Sequence, residues 1–210
     1  MYHVSNRGNG GAVVFRDTAD FDAFVELLGG ACVRVPVRVL AFCVLPDHFH
    51  LVLWPQADGD LSRWMRWLLT AHVRRHHARY RTSGHLWQGR FRAFPVAQDG
   101  YLLDVLRYVE GHARRAGLVE KAEAWAWSSL RWRTSFTRPT WLHDGPLQLP
   151  RDWVRHVNRP ASAEELAPWQ RCLRRGAPFG PDAWVARMAE RLGLESTLRP
   201  RGRPPKSAAR

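Results

Sequence analysis

The run Phe42-Cys-Val-Leu-Pro-Asp-His-Phe-His-Leu-Val-Leu-Trp54 carries two histidines, His48 and His50, separated by Phe49. On a strand, residues two apart project from one face, so the imidazoles aim at one point while Phe49 turns toward a core. Two neutral imidazoles on a rigid strand make half of a metal site. The other reading is a pair of satisfied strand histidines. His-x-His also occurs in zinc sites, so the pair alone does not choose a metal. No cysteine lies at ligand spacing, which argues against structural zinc. Tyr108 and His112 stand four residues apart, the spacing that shares a helix face. A phenol there could act as a nucleophile, and a third imidazole could complete the metal site. Tyr101, seven residues before Tyr108, falls on nearly the same face and is a rival. A tyrosine in an apolar helix can also belong simply to the core.

The surrounding pattern supplies elements to hold these groups. Tyr2 to Arg7 alternates like a strand, Gly8 to Gly11 turns it, and Ala12 to Phe15 is expected to continue it. Phe21, Phe24, Val25 and Leu28 sit at helical spacing, with Gly29-Gly30 as the stop. Val35 to Leu45 reads as a central strand, Pro46-Asp47 breaks it, and His48 to Trp54 returns as the second arm of a hairpin. Asp60 is the expected N-cap of a helix to about Tyr80, with Leu61, Trp64, Met65, Leu68 and His72 on one stripe. Phe91 to Val96 reads as a strand. Asp99 should cap a helix from Gly100 to about Ala116, closed by Gly117.

The order β, α, β, β, α, β, α predicts an α+β fold of the ferredoxin-like split βαβ type, an antiparallel sheet with helices on one face, over residues 1–130. Residues 131–160 read as a Pro- and Trp-rich linker region. Residues 161–195 read as a small helical appendage. It comprises a helix opened by Ser162 and Glu165 in a capping arrangement, and one from Asp182 to Leu192 with Trp184, Val185, Met188 and Leu192 inward. Residues 196–210 form a basic, Pro-rich tail expected to be disordered.

Lys and Arg number 32 against 19 Asp and Glu, a formal charge of +13 spread along the chain. So basic a globular protein is built to neutralise phosphates, and nucleic acid is favoured over a membrane surface. No apolar run is long enough to span a bilayer. Cys32, Cys43 and Cys172 form no paired framework, which suits a reduced, cytoplasmic setting with nucleoid association. The first thirty residues are too charged for a signal peptide. On the helix from Asp60, the arginines Arg63, Arg66, Arg74, Arg75 and Arg79 alternate with Trp64 and Trp67. They form either a surface that stacks and neutralises single strands or a solvated basic face over core tryptophans. Arg201-Gly-Arg203-Pro resembles the core of a minor-groove hook, or else a flexible basic tail.

Four segments together resemble a known family: Tyr2-His-Val-Ser-Asn-Arg-Gly8, Leu45-Pro-Asp-His-Phe-His-Leu-Val-Leu53, Trp87-Gln-Gly-Arg-Phe91, and Tyr101 through Arg107-Tyr-Val-Glu110 to Arg115-Ala-Gly-Leu-Val119. They are similar to the single-tyrosine HUH transposases, and to the REP-associated tyrosine transposases in particular. The resemblance covers residues 1 to about 135 and implies a metal-dependent single-stranded DNA endonuclease and strand transferase acting at hairpin-forming repeats. It implies that His48 and His50 hold Mg²⁺ or Mn²⁺, that Tyr108 attacks phosphorus to give a 5′-phosphotyrosine intermediate, and that His112 is a third ligand. It also implies DNA contacts near Trp87, Gln88, Arg90, Arg92 and Arg115, and single-stranded or hairpin DNA as partner of a monomer or homodimer. One departure stands out: the Asn-Pro pair common in the family is His112-Ala113 here, which bears on metal preference and on activity. The alternative is a catalytically silent, domesticated nucleic-acid-binding protein on the same scaffold.

Overall fold

The computed structural model describes residues 1–199. Four strands, β1 (Tyr2–Arg7), β2 (Val37–Val44), β3 (His48–Pro55) and β4 (Arg92–Pro95), form one sheet in the order β2-β3-β1-β4. Every neighbouring pair is antiparallel, which is the split βαβ arrangement. Helices α1 (Thr18–Arg34) and α2 (Asp60–Tyr80) cover one face. There Phe24, Phe42, Phe49, Leu51, Leu53, Trp64 and Leu68 close a dry core. The opposite face is covered as well, by α3 (Gly100–Glu110), which buries Leu102, Val105, Leu106 and Val109 against Leu40, Cys43, Val52 and Phe94.

The hairpin that carries His48 is tightly held. Pro46 and Asp47 form a two-residue loop, with the Leu45 N–H donating to the His48 carbonyl at 2.8 Å. The loop is clamped from outside: Val14 and Phe15 both donate to the Pro46 carbonyl, and Gly8 donates to that of Asp47. This explains why Ala12 to Phe15 is not the strand expected of it. β1 already pairs with β3 on one edge and β4 on the other, so no edge is left for a continuation. Phe15 instead enters the core against Phe21 and Phe24.

Helix α1 also departs from expectation, running through Gly29-Gly30 to Arg34. The two glycines are close-approach sites, not stops. A Cβ on Gly29 would lie 2.6 Å from the Trp141 indole nitrogen, and one on Gly30 would lie 3.3 Å from Trp67. Asp60 begins α2 as its first helical residue, and Gly59, with φ +81°, holds the cap position. The Asp60 carboxylate turns back to accept from Ala57 N–H. Trp64, Met65, Leu68 and His72 are buried as the stripe required.

The helix expected from Gly100 to Ala116 is interrupted at Gly111 and resumes as α4 (His112–Arg115). Asp99 caps α3 by accepting from Tyr101 N–H. In the linker region, α5 (Ser129–Arg133) and α6 (Trp153–Asn158) are short helices. They are tied to α3 through Glu110, whose buried carboxylate accepts from Ser129, Arg133 and Trp153, each at 2.6 Å. The capping box of Ser162 and Glu165 opens α7 (Ala163–Arg175), and α8 (Asp182–Leu192) follows. On α8 the buried residue is Ala189, while Leu192 is exposed, contrary to its expected inward position. Residues Glu195–Leu198 form a last helical turn, α9, where disorder was expected.

His72 sits among Phe15, Phe24 and Trp87, and burial, aided by His76, holds its imidazole down at about 3. The unfolded chain takes up that proton near 6.5, so the neutral folded form is favoured fully above that value. The contribution is lost as pH falls toward the folded value. His72→Phe should therefore flatten the acid limb of stability, read as the urea midpoint between about pH 7 and pH 4. An unchanged slope would show that this imidazole does not titrate with unfolding.

Candidate metal and tyrosine site

The register of β1 against β3 places Arg7 opposite His48 and Ser5 opposite His50. Alternation then puts His3, Ser5, Arg7, His48 and His50 on the α3 side of the sheet, while Phe49 enters the core on the other side. Phe94 and Arg92 of β4 align with His3 and Ser5 and extend the same surface.

Tyr108, on α3, and His112, the first residue of α4, come from the helical segment above. Their rings lie 5.3 Å apart, and His50 is 5.9 Å from the Tyr108 ring and 4.5 Å from that of His112, centroid to centroid. His48 completes the group, 5.2 Å from His50 and 5.1 Å from His112. The rival Tyr101 is elsewhere, packed edge-on against Phe179 at 5.0 Å. The half-buried Tyr108 ring lies between the Arg115 guanidinium at 4.2 Å and the Trp169 indole of α7 at 4.4 Å.

Hydrogen-bond partners assign the ring nitrogens of His48 and His112. Asp47 Oδ1 lies 2.5 Å from His48 Nδ1, so that nitrogen donates and His48 Nε2 presents its lone pair. Arg115 has only donors and contacts His112 Nδ1 at 3.3 Å, which makes Nδ1 an acceptor and puts the His112 proton on Nε2. That proton points to His48 Nε2, 3.0 Å away. The resting network thus runs from Asp47 through His48 and His112 to Arg115. If His48 and His112 held a cation through their Nε2 atoms, the His112 proton would sit on Nδ1, where Arg115 could no longer donate to it.

Burial pushes all three imidazoles below their usual range. For His50 and His112 the displacement is large, with neighbouring imidazoles and the Arg115 guanidinium adding to it. At His48, burial is opposed by Asp47, which pulls the value back up. Neutral rings are the state in which imidazole ligates. One ligating atom from each of His48, His50 and His112 lies within 4.8 Å of the others. Two nitrogens on one ion are about 3 to 4 Å apart at ordinary bond lengths, so the donor set fits a divalent cation after a small closure.

The site opens into a cleft of about 550 Å³ lined by Asn6, Arg7, His48, His50, Gln88, Arg90, Arg92, Tyr108 and His112. Gln88, Arg90 and Arg92 are therefore brought to the histidines, and Arg115 reaches His112 directly. Trp87 is not: it is buried on the far side of the sheet against Phe15 and Phe49. Arg63, Arg66, Arg74 and Arg75 ride on α2, also across the sheet from the cleft. Arg63 pairs with Asp60, Arg79 with Asp17 and Asp20, and Trp64 is core while Trp67 lies under Arg34. Arg201 and Arg203 lie outside the described residues. Sequence reasoning missed Arg7, Asp47 as a partner of His48, His3 and Trp169. For Arg7 and His3 the signal existed, since alternation from Tyr2 puts both on one face.

A solved structure of a REP-associated tyrosine transposase bound to a REP hairpin matches 71% of this chain and 92% of its own, with TM-score 0.51 at 18% identity, a likeness of fold. A Haemophilus influenzae protein named for the REP-associated tyrosine transposases is 30% identical over 110 residues, 47% of this chain. The match spans 62% of that relative's length. The family model described as Transposase IS200 like matches residues 1–112, more than half of the 210 residues and the part that holds both strand histidines, Tyr108 and His112. The chain belongs to the IS200-like transposase family.

Proposed function

We propose that this protein cuts and rejoins single-stranded DNA at hairpin-forming repeats, with Tyr108 as nucleophile. The observation that carries the reading is that Tyr108 and the three histidines border one basic cleft. The hairpin seen with the structural neighbour supports the choice of substrate. Arg7, Arg90 and Arg92 would neutralise backbone phosphates along the cleft. Tyr108 Oη would attack phosphorus, the bond to the 3′ oxygen would break, the phenol would lose its proton and the leaving oxygen would gain one. The tyrosyl phosphodiester keeps the energy of the broken linkage, so a free 3′-OH can reseal or transfer the strand. A divalent cation held by His48, His50 and His112 would supply Lewis acidity at a non-bridging phosphate oxygen. An all-nitrogen donor set suits Mn²⁺ better than Mg²⁺, which prefers oxygen.

Incubating the protein and Mn²⁺ with a hairpin oligonucleotide labelled at its 3′ end should give a denaturation-resistant protein–DNA adduct. Tyr108→Phe should reduce it below detection. Tight binding without an adduct on repeats flanking the gene would instead identify a silent binding protein. Cleavage that survives Tyr108→Phe would identify water as the nucleophile.

Asp47 provides a second check. Asp47→Ala removes the acceptor that orients His48 and should weaken Mn²⁺ binding about 10- to 100-fold by titration. Affinity equal to the unaltered protein would show that Asp47 does not position a ligating His48.

A further inference from the structure

His3 is completely buried in the middle of the sheet, and its Nε2 lies 2.9 Å from Nδ1 of His50, forty-seven residues later. Neither residue is near the other in sequence; the contact exists because β1 and β3 are adjacent and both side chains face α3. The other His3 nitrogen, Nδ1, is buried with no hydrogen-bond partner among the described residues. The His3 ring packs against that of Phe94, centroids 4.9 Å apart, and that of Trp169, centroids 4.7 Å apart and nearly perpendicular. A phenylalanine would fill this aromatic pocket with no polar atom to strand. Burying an unpaired nitrogen costs stability, and such a group calls for another explanation.

We infer that His3 is a positioning residue that sets the tautomer of His50. The inference rests on reading His48, His50 and His112 as a metal centre. The His3–His50 bond can be made in two ways. If His3 donates from Nε2, His50 carries its proton on Nε2, the nitrogen otherwise free to ligate, and ligation is blocked. If His50 donates from Nδ1, its Nε2 lone pair is open to the cation. An isolated imidazole side chain favours the first tautomer, with the proton on Nε2, so the ligating form must be imposed. Asp47 imposes it on His48 as a carboxylate acceptor.

For His50 the acceptor is His3 Nε2, which requires the His3 proton to be on Nδ1. That nitrogen is buried without a partner in a pocket that includes the rings of Phe94 and Trp169, where an N–H can be weakly attracted to a π system and a bare lone pair is not. The pocket of Phe94 and Trp169 thus selects the His3 tautomer, and His3 selects that of His50. Since Trp169 also packs against Tyr108, one side chain of α7 touches both the proposed nucleophile and the residue that prepares a ligand.

The test uses the full chain and two readouts. Ring-nitrogen NMR of the metal-free protein should show His50 protonated on Nδ1, and His3→Phe should move that proton to Nε2. Mn²⁺ affinity by titration should fall about 10- to 100-fold in His3→Phe, while the thermal midpoint stays within a few degrees of the unaltered protein. His3→Gln, whose carbonyl oxygen accepts from the same N–H, should restore most of the affinity, which a purely space-filling role would not predict. His50→Ala separates the two ideas. If it binds Mn²⁺ as tightly as the parent, the metal reading fails and the tautomer measurement still decides the role of His3. If His50→Ala loses binding while His3→Phe keeps both its affinity and the Nδ1 proton on His50, the inference is overturned.

Discussion

Antiparallel pairing of β1 with β3 brings two short segments, nearly fifty residues apart, into a register that aligns Arg7 with His48 and Ser5 with His50. A slip of one residue would send His3 and His50 into the aromatic core and turn Phe49 and Leu51 toward the cleft. The register is secured on both sides. On the α1–α2 face, Val4, Phe49, Leu51 and Leu53 are completely buried. At the end of the hairpin, Gly8, Val14 and Phe15 hold the Pro46-Asp47 loop by three backbone hydrogen bonds. The hydrophobic face therefore fixes where the polar face points, and the chemistry depends on a core it never touches.

The second support is the carboxylate of Glu110, at the end of α3. Completely buried, it would be costly in isolation, but Ser129, Arg133 and Trp153 all donate to it. It lies two residues after Tyr108 and two before His112, and anchors their segment to α5 and α6 while Gly111 lets the helix change course. Ser129 also bonds to the backbone of Phe42 on β2, so the network ties the helix to the sheet. What keeps the phenol and third imidazole over the strand histidines is thus a polar network in a low-dielectric interior, where satisfied bonds are strong and missing ones are costly.

The basic character of the chain is divided by the sheet. Arginines on α1 and α2 are partly committed to ion pairs with Asp17, Asp20, Glu26 and Asp60 or to stacking on Trp67 and Tyr80. Those at the cleft, Arg90 and Arg92, stay exposed beside the histidines. Net charge alone points to a polyanion; the packing shows that Arg90 and Arg92 are the exposed arginines beside the histidines. Helix α7 brings a further constraint, since Trp169 packs on Tyr108, His3 and Phe94 and makes the C-terminal helices part of the surroundings of the site.

Much was determined by the sequence itself, wherever the governing rule is local. Period-two alternation told that His48 and His50 share a face, the spacing of Tyr108 and His112 told that they point the same way, and the order of elements told the split βαβ fold. Asp99 and Ser162 declared their helices through side chains that cap their own backbones. Other features were settled only by the tertiary structure. Gly29-Gly30 reads as a stop until Trp141 and Trp67 are seen pressing on the helix there. Tyr101 and Tyr108 are equivalent by spacing, and only packing sends one to Phe179 and the other to the histidines. Only packing puts the α2 arginines across the sheet from the cleft. His3 gained its partner in the same way, across the β1–β3 pairing. Local periodicity says which side chains point together; what they meet depends on contacts between distant segments, which no spacing along the chain encodes.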